Sequence, residues 1–363
     1  MTAIAAGLNQ KELAMIKRNI DNLKATAPIV PQVNGLDPSL KRAALSLAHR
    51  SSNEYATKSG FFEKAPRRMP NDRKVSDSKP GTFWTLKYKN RWFSDGAFVS
   101  GNPVVSSFLI NEINRGSDLR EVENWVGKNT EIILELTSSV FASQAPHWTD
   151  IFPYKPLSLA SAQRGETVFN QSCAQCHGVY EKFWSDPNSP DYSAVKILKT
   201  KRVVYPNQTQ VLDVGTDSGR YTGLSTLMPL NTLHMAKTHN IKIEVQRGYV
   251  PPPLDGIFAR YPYLHNNSVP SLCALLSPAK SRPKTFVQGP SYDPRSDFDD
   301  ECIGYPVGNK IPPSWLKIKD AKFDTRKEGL SNIGHEAMLF DESGAERFSA
   351  QNKSDLIEFL KTL

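Results

Sequence analysis

The chain has 363 residues, of which 39% are hydrophobic and 23% are charged, and its formal net charge at pH 7 is +8. This composition is typical of a soluble protein that can bury a core in one large domain or two, and no stretch approaches the ~20 apolar residues that cross a membrane. The basic charge predicts an acidic partner protein, and a nucleic-acid partner is not expected because no tight basic run is interleaved with aromatic residues.

The first 156 residues predict helices joined by irregular segments. Asn9 and Glu12 form a capping box, and apolar residues recur at helical spacing after them. The stretch 48–81 is polar, basic and broken by prolines, so it predicts a long irregular connection. Two further helices are expected, one after Asp118 in the N-cap position and one over residues 131–141.

A mainly α, cytochrome c-like haem domain with long loop-rich insertions is predicted for residues 157–363. Three prolines between 146 and 156 mark its start, so residues 1–156 form a separate helical or irregular region. Apolar faces recur over 158–170 and 354–363, and small c-type cytochromes are closed by a first and a last helix that cross beside the haem. The segment 185–353 between them is rich in proline and shows no convincing run of alternating strands.

The most specific motif of the chain follows the first of these helices, as Cys173-Ala174-Gln175-Cys176-His177. Cys-x-x-Cys-His is the attachment site of a c-type haem. A zinc site or a thioredoxin-type redox pair fits less well, since neither a second cysteine pair nor a βαβ pattern accompanies the motif. We therefore predict one covalent haem c, with His177 as the proximal ligand of the iron.

The remaining cysteines and the amino terminus bear on the location of the protein. Bacteria attach haem c outside the cytoplasm, so a periplasmic or secreted protein is predicted. Charged residues interrupt residues 1–30, which therefore contain no secretory signal, and we expect that an export signal is absent from this form of the chain. In such a protein Cys273 and Cys302 predict a disulfide, the alternative being two buried free thiols.

The second axial ligand decides whether the haem carries electrons or binds a small molecule. The candidates are His234, His239, His265, His335, Met228, Met235 and Met338. His335 is favoured because Gly334 permits a close approach of the backbone to a flat ring. Met228 would resemble the methionine ligand of simple cytochromes and would raise the reduction potential.

A faint internal repeat relates residues 91–98, Arg-Trp-Phe-Ser-Asp-Gly-Ala-Phe, to residues 262–269, Pro-Tyr-Leu-His-Asn-Asn-Ser-Val. The two segments share the placement of aromatic residues and the turn chemistry. If they are homologous, the chain holds parts of two cytochrome-like units, of which only the second has a haem motif. Two unrelated aromatic turns would produce the same pattern.

Several segments resemble the bacterial di-haem cytochrome c peroxidase and rubber oxygenase superfamily. They are Ala-Gln-Arg-Gly at 162–165, Gly-Tyr-Val-Pro-Pro-Pro at 248–253, Tyr-Leu-His-Asn-Asn-Ser-Val-Pro at 263–270 and Asn-Ile-Gly-His-Glu at 332–336. The resemblance covers most of residues 157–363. It implies that His335 is the distal ligand and that residues 92–98 are what remains of an amino-terminal cytochrome unit.

The chain differs from that superfamily in carrying one Cys-x-x-Cys-His motif instead of two. In the family the amino-terminal haem generally reacts with substrate and the carboxy-terminal haem relays electrons; the motif present here is of the second kind. A missing amino-terminal segment or a partner chain would then have to supply the other haem. The peroxidases also hold calcium between their haem domains, for which the acidic stretch 297–301 is a candidate, a solvated acidic loop being the alternative.

Three functions follow from these features. The favoured one is electron transfer through a six-coordinate haem between His177 and His335, in a di-haem-peroxidase-like system. The second is a haem oxidoreductase, a peroxidase or oxygenase with an open sixth position, in which His265 acts as acid and base. The third is a binding or scaffold subunit with a structural haem. The electron donor and acceptor, any organic substrate and the oligomeric state stay open.

Overall fold

The computed structural model describes residues 7–48, 75–186, 188 and 196–363. The predicted irregular connection over 48–81 therefore lies mostly outside the described residues. Within them the chain is mainly helical, as expected for a cytochrome c-like domain. None of the helices in the described ranges has both the length and the apolar character that a membrane span requires.

The α-helices are joined by 3₁₀ turns and irregular loops. In chain order the helices are α1 (Gln10–Thr26), α2 (Ser39–Ala48), α3 (Pro103–Arg115), α4 (Leu119–Lys128), α5 (Thr130–Ala142), α6 (Trp148–Ile151), α7 (Leu159–Ser172), α8 (Ala174–His177), α9 (Gly219–Thr222), α10 (His234–Thr238), α11 (Leu272–Leu275) and α12 (Ala350–Lys361). The 3₁₀ segments are Phe83–Tyr88, Phe183–Ser185, Lys196–Leu198, Leu224–Thr232, Ile257–Arg260, Ala279–Ser281, Gly308–Lys310, Trp315–Lys317 and Ala337–Leu339.

The strands of the described residues form small antiparallel pairs and no larger sheet. The pairs are β1 (Phe98–Ser100) with β4 (Lys242–Ile243), β2 (Val179–Lys182) with β3 (Thr200–Val204), and β5 (Thr285–Val287) with β6 (Lys322–Asp324). This agrees with the prediction that the long insertion is made of helices and loops. Helix packing, not a sheet, therefore positions the residues of interest.

Short polar side chains determine where several helices begin. The Asn9 side chain accepts hydrogen bonds from the amides of Lys11 and Glu12, and Glu12 accepts one from the Asn9 amide, which confirms the predicted capping box. Asp118 accepts a hydrogen bond of 2.9 Å from the amide of Arg120 and caps α4, also as predicted. Each cap satisfies amide groups that the first helical turn leaves without partners.

Two main hydrophobic cores organise the described residues. The carboxy-terminal core packs α7 and α12 against apolar residues between 148 and 303. The amino-terminal core packs α2 to α5 against strand β1 and against residues 224–243. Part of the long insertion thus belongs to the amino-terminal core, and the boundary near residue 157 stays a prediction.

The first and last helices of the carboxy-terminal core, α7 and α12, pack closely against each other. Gly165 lies at their contact, where a Cβ would be 1.9 Å from the carbonyl oxygen of Asp355. The rings of Phe169 and Phe359 pack nearby with centroids 5.2 Å apart. Arg164 donates two hydrogen bonds of 2.8 Å to the Asp355 carboxylate. This contact fixes the end of α7, from which the chain enters the Cys-x-x-Cys-His motif.

Cys273 and Cys302 form the predicted disulfide, with 29 residues of sequence separation. We expect the double variant Cys273→Ser/Cys302→Ser to lose about 3–4 kcal/mol of unfolding free energy, because the bond restricts the unfolded chain. Urea unfolding of the oxidised protein and the variant measures the difference. Reduction of the unmodified protein serves as the control, and equal midpoints for the oxidised protein and the variant would contradict the expectation.

The two segments of the suspected internal repeat adopt the same turn. Trp92 pairs with Phe98 across the first turn, as Tyr263 pairs with Val269 across the second. The residue after each first aromatic has a positive φ, 65° at Phe93 and 66° at Leu264.

A second positive φ follows three positions later in each turn, 64° at Gly96 and 59° at Asn267. The residues just before these positions, Asp95 and Asn266, also make the same contact: each side chain accepts a hydrogen bond from the backbone amide two residues later. Positive φ is uncommon for residues other than glycine, so matching pairs at equal spacing favour a true repeat over two unrelated turns. The equivalence places Ser94 where the second turn has His265.

Candidate functional site

A cavity of about 740 Å³ is lined by residues of both hydrophobic cores. Its wall contains Cys173, Cys176 and His177 of the motif together with His335 and His265. The fold therefore brings the predicted haem-attachment residues next to the favoured distal candidate, which lies far away in the sequence.

The Cys-x-x-Cys-His motif lies where α7 ends and the single turn of α8 begins. Neither cysteine forms a disulfide. Burial raises the pKa of the Cys173 thiol to about 12 and also raises that of Cys176. A thioredoxin-type pair requires a thiol with a lowered pKa, so this environment argues against a redox-active cysteine pair. It is compatible with thiols that bind a buried apolar group.

His177 is held in one tautomer by the chain itself. Its Nδ1 lies 2.8 Å from the carbonyl oxygen of Pro252 and donates the hydrogen bond, because a carbonyl oxygen can only accept. The lone pair is then on Nε2, the arrangement usual for a metal-binding histidine. Burial lowers the pKa of the ring, which favours the neutral form that binds metals.

His335 lies beside His177 at a separation that suits one iron between them. The ring centroids are 6.1 Å apart, and the ring planes are inclined by 56°. Metal–nitrogen bonds of about 2 Å on opposite faces of an iron place two imidazole centroids about 6 Å apart. His335 Nδ1 is buried and has no hydrogen-bond partner among the described residues. Burial lowers the pKa of His335 to about 3, so this ring is neutral as well.

The loop that carries His335 is fixed by Arg282. The buried guanidinium donates hydrogen bonds to the carbonyl oxygens of Asn332 at 2.5 Å and Gly334 at 2.9 Å. Another of its hydrogen bonds reaches the carbonyl oxygen of Ala274 in α11, so the loop is tied to the carboxy-terminal core.

Gly334, next to His335, packs closely against another segment of backbone. Its φ is 79°, and a Cβ there would lie 2.3 Å from the carbonyl carbon of Gly215. The structure shows a close approach to the backbone of residues 215–216, and the expected approach of Gly334 to a flat ring stays a prediction. His335 itself has a φ of 52°, so the turn holds two consecutive residues in the left-handed region.

The other distal candidates are placed less favourably. Met228, Met235, His234 and His239 do not line the cavity. Met228 is 39% exposed, and His234 is exposed with its Nδ1 2.6 Å from Glu123. Met338 lines the cavity.

His265 is a wall residue whose ring stacks on that of Tyr249, with centroids 3.7 Å apart. Burial, aided by Arg220, lowers the pKa of His265 to about 3. Acid and base catalysis near neutral pH works best with a pKa close to 7. The surroundings of His265 therefore do not favour the catalytic role predicted for it.

Four cationic side chains also line the cavity: Lys79, Lys89, Arg260 and Arg220, the last of which forms an ion pair of 2.7 Å with Asp95. Lys79 Nζ donates to the carbonyl oxygen of Pro262 at 2.7 Å. Burial and the neighbouring Arg260 lower the pKa of Lys79 to about 7 and that of Lys89 to about 8. The positive charge of Lys79 and Arg260 on this largely apolar wall suits a group with an apolar body and carboxylates, which is the chemistry of haem.

The acidic stretch 297–301 does not assemble the predicted calcium site. Asp299 and Asp300 form ion pairs with Lys310 and Lys155 at 3.2 Å and 2.7 Å. Within the described ranges no three His, Cys, Asp or Glu side chains are grouped so as to hold a metal ion. Asp299 and Glu301 share Lys310, whereas Asp300 pairs with Lys155, so these carboxylates are neutralised by lysines.

Comparison with known proteins agrees with this geometry. Residues 248–287 match the family described as RoxA-like, cytochrome c-like. The match supports a RoxA-type cytochrome c domain. Such a domain implies covalently bound haem c and suggests a protein that works outside the cytoplasm. The matched segment includes Pro252, His265 and Arg282 of the cavity region.

Two curated proteins of Sinorhizobium fredii are similar to the chain, and both are described as uncharacterized. Protein y4iJ is 30% identical over 258 residues, which are 60% of this chain and 41% of that protein. Protein y4iM is 28% identical over 242 residues, which are 57% of this chain and 49% of that protein. The similarity thus spans less than half the length of either relative.

Proposed function

We propose that the protein is an exported c-type cytochrome that carries electrons through one covalently bound, six-coordinate haem. The observation that supports this most directly is the 6.1 Å separation of the His177 and His335 rings, which lie in the same cavity as Cys173 and Cys176. An iron with imidazole on both faces has no free position for peroxide or oxygen, which favours electron transfer.

Different residues of the cavity would bind different parts of the haem. Cys173 and Cys176 would form thioether bonds to it, and His177 and His335 would bind its iron from opposite faces. When bound, the haem supplies a one-electron ferric–ferrous couple. Apolar wall residues exclude water from this couple, and Arg260 and Lys79 provide positive charge for the haem carboxylates.

The partners of this electron transfer follow from charge and from the resemblance. A net charge of +8 favours docking of an acidic redox protein. Because the superfamily that the chain resembles uses two haems, a second haem on a partner chain or on a further segment would be the natural exchange centre.

The visible spectrum tests the proposal. The protein is expressed in a host that matures c-type cytochromes, and haem is counted by the pyridine haemochrome method and by intact mass. We expect one haem per chain, a low-spin ferric spectrum that cyanide leaves unchanged, and a ferrous spectrum that carbon monoxide leaves unchanged. A high-spin spectrum that shifts with either ligand would instead support the haem oxidoreductase, and a colourless protein would end both hypotheses.

Arg282 is expected to act as a positioning residue for His335. Arg282→Met removes the hydrogen bonds that hold the loop of His335, so part of the ferric haem should become high spin, and the free energy of unfolding should fall by about 2–3 kcal/mol. Spectra recorded from 10 to 40 °C measure the spin state, and urea unfolding measures stability.

The matched control is Arg326→Met, because Arg326 is exposed and its ion pair with Asp324 lies outside the cavity wall. It should change neither the spectrum nor the stability appreciably. A fully low-spin Arg282→Met protein over this temperature range would contradict the positioning role.

A further inference from the structure

The cavity wall contains residues of both hydrophobic cores. The part lined by the motif belongs to the carboxy-terminal core. A second part, called here the amino-terminal lobe, is lined by Leu40, Ala43, Phe83, Phe93, Val104 and Phe108. Several of these residues pack in or against the amino-terminal core, a separate hydrophobic cluster. Cys173 and Cys176, which would hold the haem, belong to the other part of the wall, so the amino-terminal lobe calls for a role of its own.

Aligned residues of the two repeat segments line the two parts of the cavity. Extended backwards without a gap, the repeat aligns residues 83–98 with 254–269, and each segment contains a 3₁₀ turn before its positive-φ turn. Every wall position of 254–269 has a wall residue at the aligned position of 83–98, whereas Thr85, Asp95 and Phe98 have no wall counterpart. The aligned wall pairs are Phe83 with Leu254, Leu86 with Ile257, Lys89 with Arg260, and Trp92 with Tyr263. The amino-terminal lobe is therefore built as a counterpart of the haem pocket.

Lys89 is the cation of the amino-terminal lobe. Among the described residues, no hydrogen-bond acceptor or carboxylate pairs with its Nζ, and it stands where the repeat has Arg260. An enclosed ammonium group without a partner costs free energy, which an anion bound beside it would recover.

The lobe is not equipped to bind a second haem iron. Of the described wall residues between positions 37 and 140, none is a cysteine, histidine or methionine. Ser94 occupies the position that corresponds to His265 of the second turn. Two carboxylates of this range also line the wall: Asp95, which accepts a hydrogen bond of 2.7 Å from Arg220, and Asp37, which accepts one of 3.0 Å from the amide of Ser39. Lys79 donates to the carbonyl oxygen of Pro262, so Lys89 is the cation of this range that has no such partner among the described residues.

We propose that the amino-terminal lobe is a second binding site, which takes an apolar organic anion whose carboxylate pairs with Lys89. The aromatic walls, Phe83, Phe93 and Phe108, provide contact area for a flat or branched hydrocarbon body. This site is independent of the axial ligation of the iron.

Calorimetric titration of the haem-loaded protein with 2-naphthoate and with the uncharged 2-naphthamide tests the site. The two probes share one shape and differ in charge. We expect naphthoate to bind about tenfold or more tightly than the amide, because a charged hydrogen bond contributes about 1.5–3 kcal/mol. Lys89→Met should abolish the preference. Lys87→Met should retain the preference for naphthoate, since Lys87 lies in the 3₁₀ turn Phe83–Tyr88, two residues before Lys89, but is absent from the cavity wall.

A second variant tests the position of the site without touching Lys89. Ser107 is an exposed residue of α3 that lines the lobe. The larger side chain of Ser107→Trp should narrow the lobe and lower the affinity for both probes at least tenfold. The haem spectrum should not change. Equal affinity for acid and amide would overturn the proposal and would indicate that the haem carboxylates already engage Lys89. Absence of binding, or unaltered binding to Lys89→Met, would overturn it as well. Each of these outcomes leaves the electron-transfer proposal intact, because that one depends on the spectrum of the unmodified protein.

Discussion

His335→Ala should convert the ferric haem from low spin to high spin almost completely. The variant removes the only described imidazole that lies 6.1 Å from His177, and the iron then loses one of its two strong nitrogen ligands. The ferrous form should also acquire carbon monoxide binding that the unmodified protein lacks. Optical spectra and electron paramagnetic resonance measure both changes.

His234→Ala is the matched control, because His234 is exposed, pairs with Glu123 and is absent from the cavity wall. Its spectrum should equal that of the unmodified protein. If His335→Ala remains low spin while its circular dichroism is unchanged, His335 is not the ligand. The remaining wall candidates, His265 and Met338, would then be replaced in turn.

Gly165→Ala should lower the free energy of unfolding by about 3 kcal/mol, near the upper end for overpacked sites. The added Cβ would lie 1.9 Å from a backbone oxygen of Asp355 and 2.8 Å from Cβ of Phe359, so α7 and α12 would have to separate. Urea unfolding followed by circular dichroism measures the loss. Since α7 leads into the motif, haem incorporation should fall as well.

Gly127→Ala provides the control within another helix. No atom lies within 4 Å of a Cβ at Gly127 in α4, so alanine should stabilise the protein by up to about 1 kcal/mol through helix propensity. Equal effects of the two substitutions would show that α7 and α12 do not pack as closely as described.

Local sequence signals predicted helices well and their ends less well. The helix expected over 158–170 runs over Leu159–Ser172, and the one expected over 354–363 runs over Ala350–Lys361. The last helix begins earlier because Ser349 and Asn352 form a capping box, a local signal that the apolar pattern alone does not contain.

The sequence carries no sufficient signal for the residues that complete the site. Nothing in the sequence around Arg282 distinguishes it from a surface arginine. In the structure it is buried, and its hydrogen bonds hold the His335 loop against the carboxy-terminal core. Lys79 belongs to the basic, irregular stretch 48–81 and Lys89 lies outside every predicted site, yet both line the cavity. Their partners are brought close by chain segments far away in the sequence, which no local pattern encodes.

The chain by itself determined the elements that depend on neighbours in sequence, namely helix caps and the paired thiols with the adjoining imidazole. These follow from spacing and from side-chain hydrogen bonds within a few residues. The sequence favoured His335 over Met228 and His265, but only the tertiary structure placed its ring 6.1 Å from that of His177. Only the tertiary structure joined residues 83–89 to the same cavity and showed that residues 92–98 and 263–269 adopt the same turn. Which distant side chains meet depends on how two hydrophobic cores pack together, and that is a property of the whole folded chain.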